Sequence, residues 1–159
     1  MKSSGLELID YSPADRSDLF QAFSEVVNEG RSYPQAPPLT DQVFEETWLT
    51  HTKAVVVARL ESAFVGAYYL KPNFSGRAAH IGNAGYVVIS SLRGRGFGGA
   101  LVEDSFNRAR REGFDALMYN LVFESNPARS LYLRMGFAEI GRIPQAVDDE
   151  TAIMYWKRL

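Results

Sequence analysis

Cysteine is absent from the 159 residues, and histidine occurs only as His51 and His80. The first absence excludes disulfides, thiolate zinc sites and a cysteine nucleophile, and the second leaves little for metal catalysis. No metal is therefore expected, and both histidines read as surface or structural residues. Net charge is scarce too: 17 Lys and Arg against 19 Asp and Glu give −2, whereas a nucleic-acid surface needs a dense basic face. No uncharged apolar run approaches the roughly 20 residues that cross a bilayer, so neither nucleic acid nor membrane is an expected partner. The opening MKSSGLELID holds one lysine and no long apolar stretch. That is not the pattern of a secretory signal, and the cytoplasm is the expected compartment.

Apolar residues make up 46 % of the chain, enough for one proper core, and residues 1–159 are expected to form a single domain. Segment 6–11 alternates as a strand, and Ser12-Pro13 with Asp15 opens a helix that Gly30 ends. RSYPQAPPL, with three of the seven prolines, is a loop and a candidate wall for a substrate pocket. A second helix is expected from Thr40 or Asp41 to about His51. The period then shortens to two: AVVVARL (54–60), AFVGAYYL (63–70) and AHIGNAGYVVI (79–89) read as an antiparallel meander. In the third of these strands, Gly82, Ala84 and Gly85 surround Asn83 and mark a bulge, which Ala84 and Gly85 would fit, or a close backbone approach.

Residues 97–111 read as a helix closed by Gly113, and FDALMYNLVF (114–123) as a central strand buried on both faces. NPARSLYLRMGF forms a further helix ending at Gly136, and FAEIGRI and TAIMYWKRL close the order as β-α-α-β-β-β-α-β-α-β-β, an α/β arrangement. The last strand, IMYWKRL, reads as exposed and suited to pairing across a two-fold axis, so a homodimer is expected.

The densest signal is SLRGRGFGGAL, residues 91–101. Gly94, Gly96 and Gly99 spell G-x-G-x-x-G, yet a dinucleotide fold would place that loop after the first strand of a parallel series. Here three antiparallel strands come first, and no Gly-Lys-Ser/Thr follows to make a P-loop. What remains is a glycine loop before a helix whose first N–H groups are unpaired and carry the positive dipole end, which is an anion site. Arg93 and Arg95 add charge-assisted donors. The alternative is a glycine-rich turn with solvent-facing arginines.

Val88, then ISSLRGRGFGGALVE, then a buried strand, then NPARSLYLRMGF resembles the GCN5-related N-acetyltransferases (GNATs), whose acyl-CoA loop reads Arg/Gln-x-x-Gly-x-Gly/Ala. Arg93, Gly96 and Gly98 match that loop. The resemblance implies the GNAT fold, a mixed and mostly antiparallel sheet whose fourth and fifth strands splay apart, with acetyl-CoA as cofactor. It implies that the pyrophosphate rests on the N–H groups of residues 93–99, namely Arg93, Gly94, Arg95, Gly96, Phe97, Gly98 and Gly99. Backbone groups of Val87, Val88 and Ile89 would pair with the pantetheine arm, and the Val88 region would polarise the thioester carbonyl. Tyr132 matches the family's general acid, and it is otherwise an amphipathic core tyrosine. Asn126 matches the pantetheine-binding asparagine, with Ser125 at the more usual spacing; it also suits a helix entry before Pro127.

KPNFSGRAAHIGNAGYVV with YNLVFESN is similar, more narrowly, to acetyltransferases that act on proline analogues such as azetidine-2-carboxylate. That likeness implies that Asn83 and Asn120 orient a small amino acid through its carboxylate and amine. The base is not fixed: Glu124, Glu25 and Glu29 are candidates, as is water relayed to a backbone carbonyl. The expected activity is acetyl transfer to a small amine or amino acid in a ternary complex. A protein N-terminus or lysine as acceptor, and an acyl-CoA-binding sensor without turnover, are the alternatives.

Overall fold

The computed structural model describes residues 5–159. Seven strands form one sheet in the order β1-β2-β3-β4-β5-β7-β6. They are β1 (Leu6–Asp10), β2 (Ala54–Leu60), β3 (Ala63–Pro72), β4 (Ile81–Val88), β5 (Ala116–Phe123), β6 (Ala138–Val147) and β7 (Glu150–Arg158). Helices α1 (Arg16–Glu29), α2 (Asp41–Trp48), α3 (Phe97–Arg111) and α4 (Arg129–Arg134) complete the fold. The expected order of elements is the observed one.

Period-two alternation makes the strands bury both faces. Val56, Tyr68 and Leu70 point to one side, where they pack with Leu101, Val102 and Phe106 of α3. Their neighbours Val57, Ala67 and Tyr69 point to the other, against Leu19, Phe23, Phe44 and Trp48 of α1 and α2. Gly30 stops α1 in a left-handed conformation, φ 68°, its N–H reaching the Val26 carbonyl at 3.3 Å.

Three expectations change. Strand β7 is not an edge: it lies between β5 and β6, paired antiparallel to both, so both its ladders are occupied and it cannot join a second copy. The sheet edges are β1 and β6. Next, β4 carries no bulge at Ala84 and Gly85, since its register with β3 runs unbroken from Gly66↔Val88 to Pro72↔Gly82. The irregularity lies in β5, where pairing with β7 jumps from Tyr119↔Tyr155 to Val122↔Ile153. Two residues, Asn120 and Leu121, thus stand opposite Met154, and Asn120 is exposed. Strand β5 is accordingly not buried along its whole length, because a bulge turns its middle outward.

Asp15, 4 % exposed, ties the start of α1 to the sheet. Its carboxylate accepts the Ser12 N–H at 2.8 Å and pairs with Arg59 of β2. Burial opposes its ionisation, but the Arg59 and Ser12 hydrogen bonds outweigh that and hold its pKa below 3.8. A carboxylate depressed on folding stabilises the fold above its unfolded pKa, and that stability is lost as pH falls through the folded one. Asp15→Asn should therefore lower stability by about 1–3 kcal/mol at pH 7, and thermal melts against pH should show the gap to the parent closing below about pH 4.

Candidate active site

Strands β4 and β5 run parallel but pair only at Ile81↔Ala116 and Gly82↔Leu117. Beyond these positions they part, and the opening is a cleft of about 600 Å³. Its walls are the two strands, the α3 N-terminus, α4, the end of α1 with the 31–35 loop, and α2.

The gap leaves main-chain groups of β4 without a neighbouring strand. Ile89 donates to the Val65 carbonyl of β3 at 3.0 Å. Alternation along an antiparallel pair then turns Val87 and Ile89 toward β3, and Ala84, Tyr86 and Val88 toward the gap. Two side chains use these gap-facing carbonyls: the Tyr33 hydroxyl donates to Tyr86 at 3.0 Å and Arg93 Nε to Val88 at 3.3 Å. Of the three residues expected to present backbone to a pantetheine arm, Val88 alone aims its main chain into the opening.

At the cleft's end the chain forms a cradle. Gly94 and Gly96 take φ of 75° and 86°, conformations that a Cβ disfavours, and Gly96 caps α3, accepting the Ala100 N–H at 3.1 Å. Among the described residues, nothing accepts from the N–H groups of residues 94–99. Six successive free amides at the positive end of a 15-residue helix suit a diphosphate.

The side chains here behave less simply. Arg93 pairs with Glu29 of α1 at 2.7 Å, so part of its charge is spent within the protein. Arg95 lies 5.5 Å over the Phe97 ring, and Phe97, 4 % exposed, belongs to the core. Gly98 lines the cleft and Gly99 does not; a Cβ on either would touch only Leu131 of α4, at 3.8 and 3.7 Å.

Tyr132 projects from α4 into the cleft. Its ring packs edge-on against Tyr119 at 4.8 Å and against Phe137 and Tyr155 at 6.0 Å. Its hydroxyl has no hydrogen-bond partner among the described residues, and burial pushes its pKa well above that of a free phenol, so it is protonated at neutral pH. Behind it the hydroxyls of Tyr119, Tyr86 and Ser105 form a chain at 2.6 and 2.7 Å.

Asn126, 9 % exposed, lines the cleft while its Oδ1 accepts the Ala128 N–H at 2.8 Å, so it also shapes the entry to α4. Asn83 and Asn120 both reach the cleft. Asn120 is already engaged in a reciprocal amide pair with Asn73, one bond of which measures 2.8 Å. Of the candidate bases, Glu29 lines the cleft but serves Arg93, whereas Glu124 pairs with Arg142 at 3.0 Å and, like Glu25, lies off the lining. His51 and His80 lie off it as well, and no group of acids and histidines among the described residues is placed to hold a metal.

Sequence reasoning passed over Tyr33, Glu46 and Lys71, which the fold brings to the same cleft. Lys71 had a readable signal, since a hairpin register pairs it with Asn83. The proline loop was legible as a wall, though not that Tyr33 would reach from it to β4.

Residues 18–137 match the sequence model of the acetyltransferase (GNAT) family. The chain belongs to that family. It is similar to a GCN5-related N-acetyltransferase from Kribbella flavida over 98 % of both chains, at 32 % identity and a TM-score of 0.90. The N-acetyltransferase aca1 of Schizosaccharomyces pombe is 38 % identical over 87 residues, 54 % of this chain and 42 % of that one. The chain spans less than half the length of the curated relatives it matches. The fold is also that of yncA from Salmonella typhimurium, solved with acetyl-CoA, at 15 % identity, a TM-score of 0.83, and 98 % and 95 % coverage. GNAT acetyltransferases use acetyl-CoA, and the free amides of residues 94–99 fit the diphosphate of such a molecule.

The left-handed Gly96 is the sensitive point of this cradle. Gly96→Ala should cost about 1–2 kcal/mol from the strained backbone alone. It should also weaken coenzyme A binding at least tenfold, as read by calorimetric titration, whereas Gly99→Ala should leave affinity within about threefold. Each such factor of ten corresponds to about 1.4 kcal/mol.

Proposed function

We propose that this GNAT chain transfers the acetyl group of acetyl-CoA directly to the amine of a small acceptor, an amino acid or proline analogue being the class that fits best. One observation carries the reading: a diphosphate cradle and a gap in the sheet meet in a single cleft that also receives Tyr132 and Asn83. The 31–35 loop and α2 wall the cleft on its acceptor side, and a volume of about 600 Å³ suits a small molecule beside the thioester.

Acetyl-CoA, when bound, supplies an activated thioester. The amides of residues 94–99 would hold its diphosphate, with Gly98 leaving room beside them. Val88 and Asn126 would meet the pantetheine arm, and the gap-facing Val88 main chain would donate to the carbonyl oxygen on which charge develops. The cleft offers no cysteine, which supports attack by the amine itself rather than through an acyl-enzyme. Tyr132, kept protonated by its burial, would give its proton to the departing sulfur. The unprotonated amine would release one proton as the amide forms; that proton passes to solvent, from which Tyr132 regains the one it gave.

Acetyl-CoA should raise the melting temperature, and thiol release should be measurable with at least one member of a panel of amino acids, polyamines and peptides. Tyr132→Phe should reduce kcat about 100-fold with little change in the KM for acetyl-CoA. Full turnover by that variant would remove Tyr132 from the chemistry, and the absence of any stabilisation by acetyl-CoA would overturn the donor assignment.

A further inference from the structure

Lys71 is a half-buried cation of this cleft that the transfer chemistry leaves unused. It stands on β3 directly across from Asn83 of β4, and residues opposite one another on paired strands share a face. That face is the one covered by α1 and α2, because Tyr69, two residues before Lys71, packs with Trp48 and Val87. The Lys71 ammonium lies 5.2 Å from the centre of the Tyr69 ring, and the side chain is half-buried. Among the described residues it forms no ion pair, and its burial disfavours the charged form. A half-buried ammonium without a counter-charge is a cost that an anion in the cleft would relieve.

The remaining charges of the lining narrow the anion. Glu29 and Arg93 neutralise each other near the cradle. Among the described residues, Glu46 of α2 forms no ion pair and receives only the Gln42 side-chain amide, at 3.0 Å. Arg31 is also unpaired among the described residues, but it lies exposed in the loop after α1. The acceptor side thus presents one half-buried cation, with an amide beside it, and one carboxylate. An α-amino acid carries the complementary pair of charges, whereas a polyamine or a simple amine carries no group for Lys71.

We propose that Lys71, with Asn83 beside it, binds the carboxylate of the acceptor, and that this clamp selects amino acids over amines lacking a carboxylate. The proposal rests on the transfer reading above and adds a specificity-determining residue to it. Ammonium and amide together offer a carboxylate several donors, and an ammonium-to-carboxylate hydrogen bond is of the strong, charge-assisted kind.

The test compares alanine and proline with alaninamide and prolinamide in the thiol-release assay, for the parent, Lys71→Met, Lys71→Arg and Arg31→Met. The parent should prefer the acids in kcat/KM, and Lys71→Met should cut the acid-to-amide ratio about 10- to 100-fold through the KM of the acids. Rates are expressed per unprotonated amine, so the lower basicity of the amides does not set the parent's preference, and in the comparison between proteins the difference cancels. Lys71→Arg should restore part of the preference. A parent indifferent to the carboxylate, an unchanged ratio in Lys71→Met, or an equal loss in Arg31→Met would overturn the proposal. Should the parent turn over none of these amines, transfer to amino acids is what fails. The clamp is then judged by calorimetric titration of alanine and proline into each protein saturated with coenzyme A. Binding by the parent that Lys71→Met loses, in a variant that melts as the parent does, supports the clamp; no binding, or equal binding, overturns it.

Discussion

Two strands that begin side by side and stop pairing after two residues set the terms for the rest of this molecule. Backbone N–H and C=O groups inside a protein need partners, and the interior of a sheet is where they are usually found. Where β4 and β5 part, β4 instead turns alternate main-chain groups toward an opening, and the Tyr33 hydroxyl and Arg93 Nε satisfy only two of its carbonyls. The molecule thereby keeps a sheet edge in its middle, suited to an extended ligand arm that pairs as a strand would.

Keeping such a gap open requires rigid surroundings, and both faces of the sheet supply them. On the α3 side the rings of Tyr86, Tyr119, Tyr132 and Phe137 pack edge to face, tilted or stacked, with centroids 4.4 to 6.5 Å apart. On the α1 side, Tyr69 occupies the space above Gly85, where a Cβ would also come within 2.6 Å of the Tyr33 hydroxyl. Glycine at this position therefore lets a ring, and not a bulge, sit against β4. The polar ends of the tyrosines are tied into the chain that reaches Ser105, which in turn donates to the Val102 carbonyl at 2.6 Å. Tyr132 is left with a free hydroxyl at the cleft.

Much of this was legible in the chain itself. AVVVARL gave its own strand limits because Glu61 and Ser62, both at positive φ, form a tight turn. SLRGRGFGGAL announced a glycine turn into a helix with unpaired first amides, because glycine conformation and helix termini are local properties. The legible part of the site is the part written in consecutive residues. The roles of Arg93 and Asn120 were harder to read. Glu29 and Asn73, which engage them, lie 64 and 47 positions away, and no local pattern reports a partner at such distance. The pairing of β7 was hidden for a related reason. Sequence order makes a last strand look like an edge, whereas β6 turns outward and β7 comes back to lie beside β5.

The sequence by itself determined the strand and helix succession, the helix stops at Gly30, Gly113 and Gly136, the glycine turn that leads into α3, and the placement of Tyr132 on the helix after the central strand. All of these follow from periodicity and backbone chemistry within a few residues. Only the tertiary structure decided that Val88 and not its neighbours faces the gap, that Arg93 answers to Glu29, and that Lys71 and Asn83 share one wall of the cleft. Register and divergence between strands are set by packing across the whole sheet, and a one-residue slip of β4 against β3 would turn Val88 and Asn83 to the opposite side.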